Sequence, residues 1–351
     1  MGIAVDSKNW GPEYTQGVAP SNPKHGTSWF DTSANKLKVY DLPNTSWTWI
    51  RIPEAGFGLV AGGYNLSTNV DKIIFPFDSG TTSVVGTLSR PADARGACCN
   101  STEYGFIFGC YGTSHTSAID RLTFPFDSGS STTIGNLSQQ SNTSGAYNSS
   151  EHGFNTGGGA GASTSYISRI LFPFNSGVAS NVGNLSTSSE GVSGCNSSEH
   201  GFTFFGYQIT YQTNIERISF PFNSGTASHV GNSTIARNSG NACNSSEHGF
   251  LFGGNGAPGR LSAVDRITFP FASGTSSHLS NLSQSNYNMA GCNSDTYGYS
   301  SGGRLVSARV STVERFTFPF ASGVSSIVGN ISASKNYCGG IDNTDFNNMF
   351  V

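Results

Sequence analysis

Six copies of one aromatic tripeptide at near-constant spacing leave this chain few ways to fold. Phe-Pro-Phe begins at Phe75, Phe124, Phe172, Phe220, Phe269 and Phe318, always 48 or 49 residues apart. A fixed period near fifty marks a repeat architecture, in which each unit buries its apolar face only against its neighbours. The fifth unit runs Glu247-His248-Gly249-Phe250-Leu251-Phe252-Gly253-Gly254, a variable loop, Val264-Asp265-Arg266-Ile267-Thr268-Phe269, a Ser-Gly turn, then Ser277-His278-Leu279-Ser280-Asn281-Leu282. Met289-Ala290-Gly291-Cys292-Asn293-Ser294 leads into the next copy. Four strand-length runs per unit, separated by Gly, Ser and Asn turns, are the pattern of a propeller blade.

The Phe-Leu-Phe-Gly-Gly ending, the Val-Asp-Arg strand and the turn after it resemble the kelch type of β-propeller across residues 54–351. The pattern departs from kelch in the fourth strand, where a Trp is usual and this chain has His278-Leu279 or Thr133-Ile134. The resemblance implies a fold and not a function. The fold class expected is all-β: a six-bladed, kelch-like β-propeller with four strands per blade. Glu54-Ala55-Gly56-Phe57 is set in phase with Glu247-His248-Gly249-Phe250, so the first unit lacks its leading strand. Ile341-Asp342-Asn343-Thr344-Asp345-Phe346, at the phase of Cys292, is expected to supply it from the C-terminus and close the ring. A seventh, partial blade recruited from the N-terminal region is the alternative.

Residues 1–26 show no periodicity and read as an extended N-terminal attachment arm that needs a partner to order it. Residues 27–52 read as a small Trp-rich β module of two or three strands, and 53–351 as the propeller. Trp29-Phe30-Asp31-Thr32-Ser33-Ala34-Asn35-Lys36-Leu37-Lys38-Val39-Tyr40-Asp41, followed by Trp47-Thr48-Trp49, resembles a short module common in tail-fibre and other virion proteins of bacteriophages. There it precedes variable fibre or receptor-binding parts. The resemblance implies attachment to a particle through this end, with Trp10, Trp29, Phe30, Tyr40, Trp47 and Trp49 as candidate attachment residues.

Composition removes several classes. A net charge of −3 gives no electrostatic footprint for nucleic acid or an anionic membrane. No apolar run is long enough for a membrane span, and Met1-Gly2-Ile3-Ala4-Val5-Asp6-Ser7 lacks a secretory signal, so neither insertion nor export by the common route is expected. Cys195, Cys243 and Cys292 share one repeat phase, joined by the Cys98–Cys99 pair; equivalent positions stand a whole unit apart, too far for a bridge. They read as small buried apolar residues, with Cys110 and Cys338 off phase.

Each unit also carries Asp71-Lys72, Asp120-Arg121, Ser168-Arg169, Glu216-Arg217, Asp265-Arg266 or Glu314-Arg315. Adjacent strand residues point to opposite faces, so the bases form one ring and the acids another. A six-fold recurrence fits assembly, each base meeting a turn carboxylate such as Glu103, Glu151, Glu199 or Glu247, better than one anion site. His152, His200 and His248 invite a zinc reading, but the equivalent positions hold Tyr104, Tyr297 and Phe346, so the slot asks for a flat ring. No nucleophile motif or paired catalytic carboxylates stand out, and no cofactor or metal is called for. Asn136, Asn184 and Asn281 fall in sequons at repeat turns and read as turn chemistry.

The loops after Gly-Gly vary while the strands repeat. Tyr111, His115, Tyr166, Tyr207, Gln208, Tyr211, Gln212, Arg260, Arg304 and Arg309 lie on or beside them and form the candidate binding face, since such side chains suit sugars or protein surfaces. Three readings follow. The first is a non-enzymatic virion component assembled in the host cytoplasm, bound to other virion proteins by its N-terminus and displaying the propeller to a host glycan or protein. The second is a cellular kelch-like interaction protein or lectin. The third is a propeller hydrolase or oxidase.

Overall fold

The computed structural model describes residues 14–16, 18–22, 24, 27–31, 36–41, 46–50, 56–91 and 97–343. The chain divides into two compact units, Met1–Ala55 and Gly56–Val351. In the first, Ser28–Asp31, Lys36–Asp41 and Ser46–Ile50 form an antiparallel meander, and Tyr14–Gln16 joins its edge in parallel with Ser28–Asp31. The sheet therefore has four strands rather than two or three, because part of the segment read as an arm pairs with the module. Trp29 is buried there. Trp10 lies outside the described residues; Phe30 falls in the second strand, Trp47 and Trp49 in the last, and Tyr40 ends half-buried in the third.

The second unit is a six-bladed β-propeller. Its innermost strands are Gly339–Asp342, Ala97–Asn100, Gly145–Asn148, Ser193–Asn196, Asn241–Asn244 and Ala290–Asn293 in blades 1 to 6. Each pairs antiparallel with a second strand (Phe57–Ala61, Tyr104–Tyr111, His152–Thr156, His200–Phe204, His248–Phe252, Tyr297–Ser301), which pairs with a third and then an outermost strand. Gly339–Asp342 completes blade 1 by pairing with Phe57–Ala61, so the C-terminal closure holds. One detail of phase does not. Phe57 stands opposite Ile74, directly before Phe75, just as His248 stands opposite Thr268 before Phe269. Phe57 is thus the counterpart of His248, not of Phe250, and it takes the flat-ring slot assigned to Phe346, which lies outside the described residues.

Repetition at that slot has a steric cause in the glycine after it. A Cβ on Gly153 would stand 2.7 Å from Cys99 Sγ of the preceding blade, and one on Gly105 would stand 2.8 Å from Ile341 Cγ2. The same knob-into-notch contact sets Cys292 against Gly58, Tyr147 against Gly201, Cys195 against Gly249 and Cys243 against Gly298. Cys99, Cys195, Cys243 and Cys292 are free thiols, and burial pushes each of them well up, as expected of packing residues.

Blade contacts are made at three radii. Near the axis, Asn148, Asn196, Asn244 and Asn293 each donate a backbone N–H to the side-chain oxygen of Asn196, Asn244, Asn293 and Asp342 in turn, at 3.1–3.5 Å. Midway, the first Phe of the tripeptide stacks on the second strand of the blade before it, as in Phe172 on Phe106 (5.3 Å, 16°) and Phe318 on Phe250 (5.2 Å, 18°). Blade 1 has Leu59 where the others have a ring, and Phe124 instead meets Phe57 edge-on. Each such pair adds about 0.5–1.5 kcal/mol beyond its buried area. At the rim, outermost strands pair in parallel with the next blade's Ser-Gly turn, for example Asn232 with Thr275, and Asn330 with Thr81 closes the circle.

The bases form a ring, but not with the expected partners. Arg121 donates to Phe174 O and Asn175 Oδ1, Arg169 to Phe222 O and Asn223 Oδ1, and Arg315 to Phe77 O and Asp78 of the next blade. Lys72 pairs with Asp127 at 2.6 Å. Arg217 and Arg266 face Ala272 and Ala321 and keep only the carbonyls of Phe271 and Phe320. The acceptors are the tripeptide turns rather than Glu103, Glu151, Glu199 or Glu247, because the side chain reaches sideways across the blade boundary.

The acids are buried and bind the connection from the previous blade. Asp71 pairs with Lys335 (2.7 Å), Asp120 with Arg90 (2.9 Å) and Asp265 with Arg237 (3.0 Å). Glu216 and Glu314 are longer and instead take the backbone N–H of Ser186 (2.9 Å) and Ser283 (2.8 Å). Burial raises Asp71's pKa, but Lys335 and bonds from Ser332 and Thr82 outweigh it and hold the carboxyl below its ordinary value. Glu216 lacks such a base, and burial pushes its carboxyl up.

Candidate functional site

Strand direction sorts the propeller's side chains between two ends. The innermost strand enters at the end where the second strand leaves, as Gly145 opposite Thr156 and Asn148 opposite Gly153 show. One end therefore gathers the loops between second and third strands together with the blade-to-blade connections. The other gathers the Asn-Ser-Ser-Glu turns and the Phe-Pro-Phe turns. The central channel runs between them, lined by the innermost strands, with Thr143, Ser239, Asn288 and Tyr337 towards the loop end. At the turn end the Asn oxygens accept neighbouring N–H groups, so they close the ring rather than wait for a ligand.

The loop end is irregular. Blade 5 forms a small hairpin, Asn255–Gly256 with Gly259–Arg260, whereas blade 6 bridges Arg304 to Arg309 and blade 4 bridges Tyr207 to Tyr211. Connections from the previous blade pair with these loops, as in Glu190 with Tyr207, Asn238 with Asn255 and Tyr287 with Arg304. This backing holds the loops although they share no sequence.

Most of the candidate binding residues meet there, in small sets. Tyr207 and Tyr211 pack edge to face (5.4 Å), and the Tyr211 hydroxyl accepts from Asn255 Nδ2 at 2.7 Å. Gln212 donates to Thr210 O and Oγ1, while Gln208 is exposed at the tip beside Ile209. Arg260 lies 5.0 Å from the Tyr287 ring centroid, and Arg309 3.4 Å from that of Tyr64. Arg309 Nε also donates to Asn336 Oδ1 at 3.1 Å. Tyr111 and His115 pack edge to face in blade 2, and Tyr166 sits in a third strand with its carbonyl bound to Gly157 N. The structure brings Arg260, Arg304 and Arg309 into neighbouring blades and leaves Tyr111, His115 and Tyr166 to the other side of the ring.

Tyr64, Tyr287, Asn255 and Asn336 escaped the sequence reading. Tyr64 follows Gly62-Gly63 as Arg304 follows Gly302-Gly303, but the two-residue slip of phase in blade 1 hid that loop. Arg90, Arg237 and Lys335 were also missed. Arg237 and Lys335 occupy a common place in the blade-to-blade connection, where other blades have Ser141, Ser189 and Asn286. Arg90 comes two residues earlier in its own connection, yet reaches Gly109 O and Ala118 O as Arg237 reaches Gly253 O and Ala263 O.

The three histidines sit at the starts of second strands. His152 packs 6.1 Å from Phe154, and burial followed by the charge of Arg169 lowers its pKa. His200 and His248 repeat this beside Arg217 and Arg266. The same slot holds Tyr104 under Arg121 (4.5 Å), Tyr297 under Arg315 (4.4 Å) and Phe57 under Lys72 (4.0 Å), so it selects a flat ring beneath a cation. Comparison with protein-family models returns no match, and comparison with curated proteins returns none either.

Proposed function

We propose that this chain is a non-enzymatic structural protein of a bacteriophage virion, a tail fibre or other surface appendage. Its N-terminal unit attaches to the particle, and its propeller is displayed for binding a host-surface glycan or protein. The observation that carries the reading is the contrast within one ring: regular blades locked at three radii, bearing loops that differ in every blade yet are backed by bridges from the connections. A rigid scaffold with varied, supported loops is the usual way to present a recognition surface. The order of residues in the Trp-rich stretch, which resembles phage fibre modules, supports the particle assignment. The non-enzymatic part is supported by the third-strand carboxylates, which are buried and committed to bonds between blades. Removing residues 1–50 should abolish incorporation into particles while the propeller still folds; full occupancy without them would refute the attachment role.

The alternative is a cellular kelch-like interaction protein or lectin, favoured by the closed ring, which needs no particle to complete it. It predicts a monomer that binds its partner equally well without residues 1–50.

A further inference from the structure

The two ends of the propeller carry charge differently. At the turn end the exposed Glu103, Glu151, Glu199, Glu247 and Asp295 stand with the ring bases Lys72, Arg121, Arg169, Arg217, Arg266 and Arg315, so acids and bases alternate around the circle. At the loop end the charged side chains outside the buried pairs are Arg260, Arg304, Arg309 and Glu190, among the described residues. Glu190 bridges to Tyr207 at the junction of blades 3 and 4, away from the three arginines on blades 5 and 6. Nothing in a fold of equivalent blades requires this excess of bases at the loop end.

Two donors in the arginine sector lack acceptors. Arg260 Nε is buried without a partner beside Tyr287, and so is Nδ2 of Asn336, a residue with no exposure, whose oxygen holds Arg309. Neither atom meets the surface, so a ligand is left the outer guanidinium nitrogens of Arg260 and Arg309. Both stacked arginines are held over tyrosine rings, an arrangement that fixes the guanidinium plane and leaves its edge for bidentate bonds to a carboxylate. Tyr64, at 38% exposure, and the Tyr207–Tyr211 pair add rings against which the C–H faces of a sugar can lie.

We propose that the loop end over blades 4, 5, 6 and 1 binds a carboxylate-bearing polysaccharide, with Arg260, Arg304 and Arg309 taking the carboxylates and Tyr64, Tyr207 and Tyr211 the sugar rings. This rests on the display reading and names its ligand class. A saccharide fits better than an acidic protein surface because Arg260 and Arg309 are separate, ring-backed points on consecutive blades, matching an anion repeated along a chain.

The test is binding of the full chain to immobilised polygalacturonate, dextran sulfate and neutral dextran. Retention on polygalacturonate, weakened by salt, is expected, with neutral dextran not retained. Arg260→Gln and Arg309→Gln should each lower affinity about tenfold or more, since a charge-assisted hydrogen bond contributes about 1.5–3 kcal/mol. Glu103→Gln, at the turn end, should leave it unchanged. Equal binding to dextran sulfate, or equal loss on Glu103→Gln, would reduce the effect to bulk charge and overturn the inference. So would absence of binding to polygalacturonate, or adsorption of particles lost on Ile209→Ser but kept in the arginine variants, which would point to a protein surface. The display reading fails separately, if particles lacking this chain adsorb to the host as well as those that carry it.

Discussion

The turn end and the loop end of the propeller are built from the same strands, yet they obey different constraints. At the turn end every blade repeats one solution: a flat ring, a glycine notch behind it, a cation above it, and a tripeptide turn that receives the preceding blade's cation. At the loop end the six blades use different lengths and side chains. Contacts between blades must recur because each blade meets its neighbour through the same surfaces; loops facing outward carry no such obligation. Even there some contacts cross a boundary, as Arg309 of blade 6 does between Tyr64 of blade 1 and Asn336, but no other blade repeats that arrangement.

That contrast can be broken deliberately. The largest effect is expected from Asp265→Leu, which strands Arg237 in the interior; breaking a buried pair costs about 3–5 kcal/mol, read as a lower denaturation midpoint. Next comes Gly153→Val, which drives a side chain into Cys99 Sγ and should cost about 1–3 kcal/mol, partly recovered by adding Cys99→Gly. Phe172→Leu removes one inter-blade stack and should cost about 1 kcal/mol, whereas Phe124→Leu, whose partner is edge-on, should cost less. Arg304→Ser, at the loop end, should change stability by less than about 0.5 kcal/mol. A loop-end substitution as damaging as Gly153→Val would erase the distinction between the two ends.

Acid titration sharpens it further. Asp71's depressed carboxyl contributes stability above its unfolded pKa, lost as pH falls through the folded value. Glu216's raised carboxyl does the reverse: its contribution is present below the unfolded pKa and lost as pH rises through the folded one. At neutral pH Asp71→Asn should therefore destabilise and Glu216→Gln stabilise, and both differences should close in acid. Thermal unfolding of the two variants across pH 3–8 checks this; the same sign for both would show that the carboxylates are equivalent.

Blade count, strand count and C-terminal closure were legible because they depend on period and alternation, which survive without side-chain detail. The partners of Arg121 and Arg169 were not, since sequence places a side chain on a face but not across a gap between blades. Blade 1 was misphased because Leu59 replaces the aromatic that sets the register in the other five blades. Tyr287 and Asn336 gain their meaning only when connections from one blade lie beside loops of the next. The six cis Phe–Pro peptides had no signal beyond the tripeptide itself.

The fillings between blades also carry identity. Six near-copies on one chain can be mispaired, because each presents almost the same strand to its neighbour. The boundaries differ in their buried contents: Arg90 with Asp120, Ser186 with Glu216, Arg237 with Asp265, Lys335 with Asp71. A ring that skipped blade 2 would bring Arg90 against Ser168 and bury a lone cation; one that skipped blade 5 would crowd Arg237 against the longer Glu314. Each boundary thus works as an address, and blade order is written in the few buried positions where the repeats disagree.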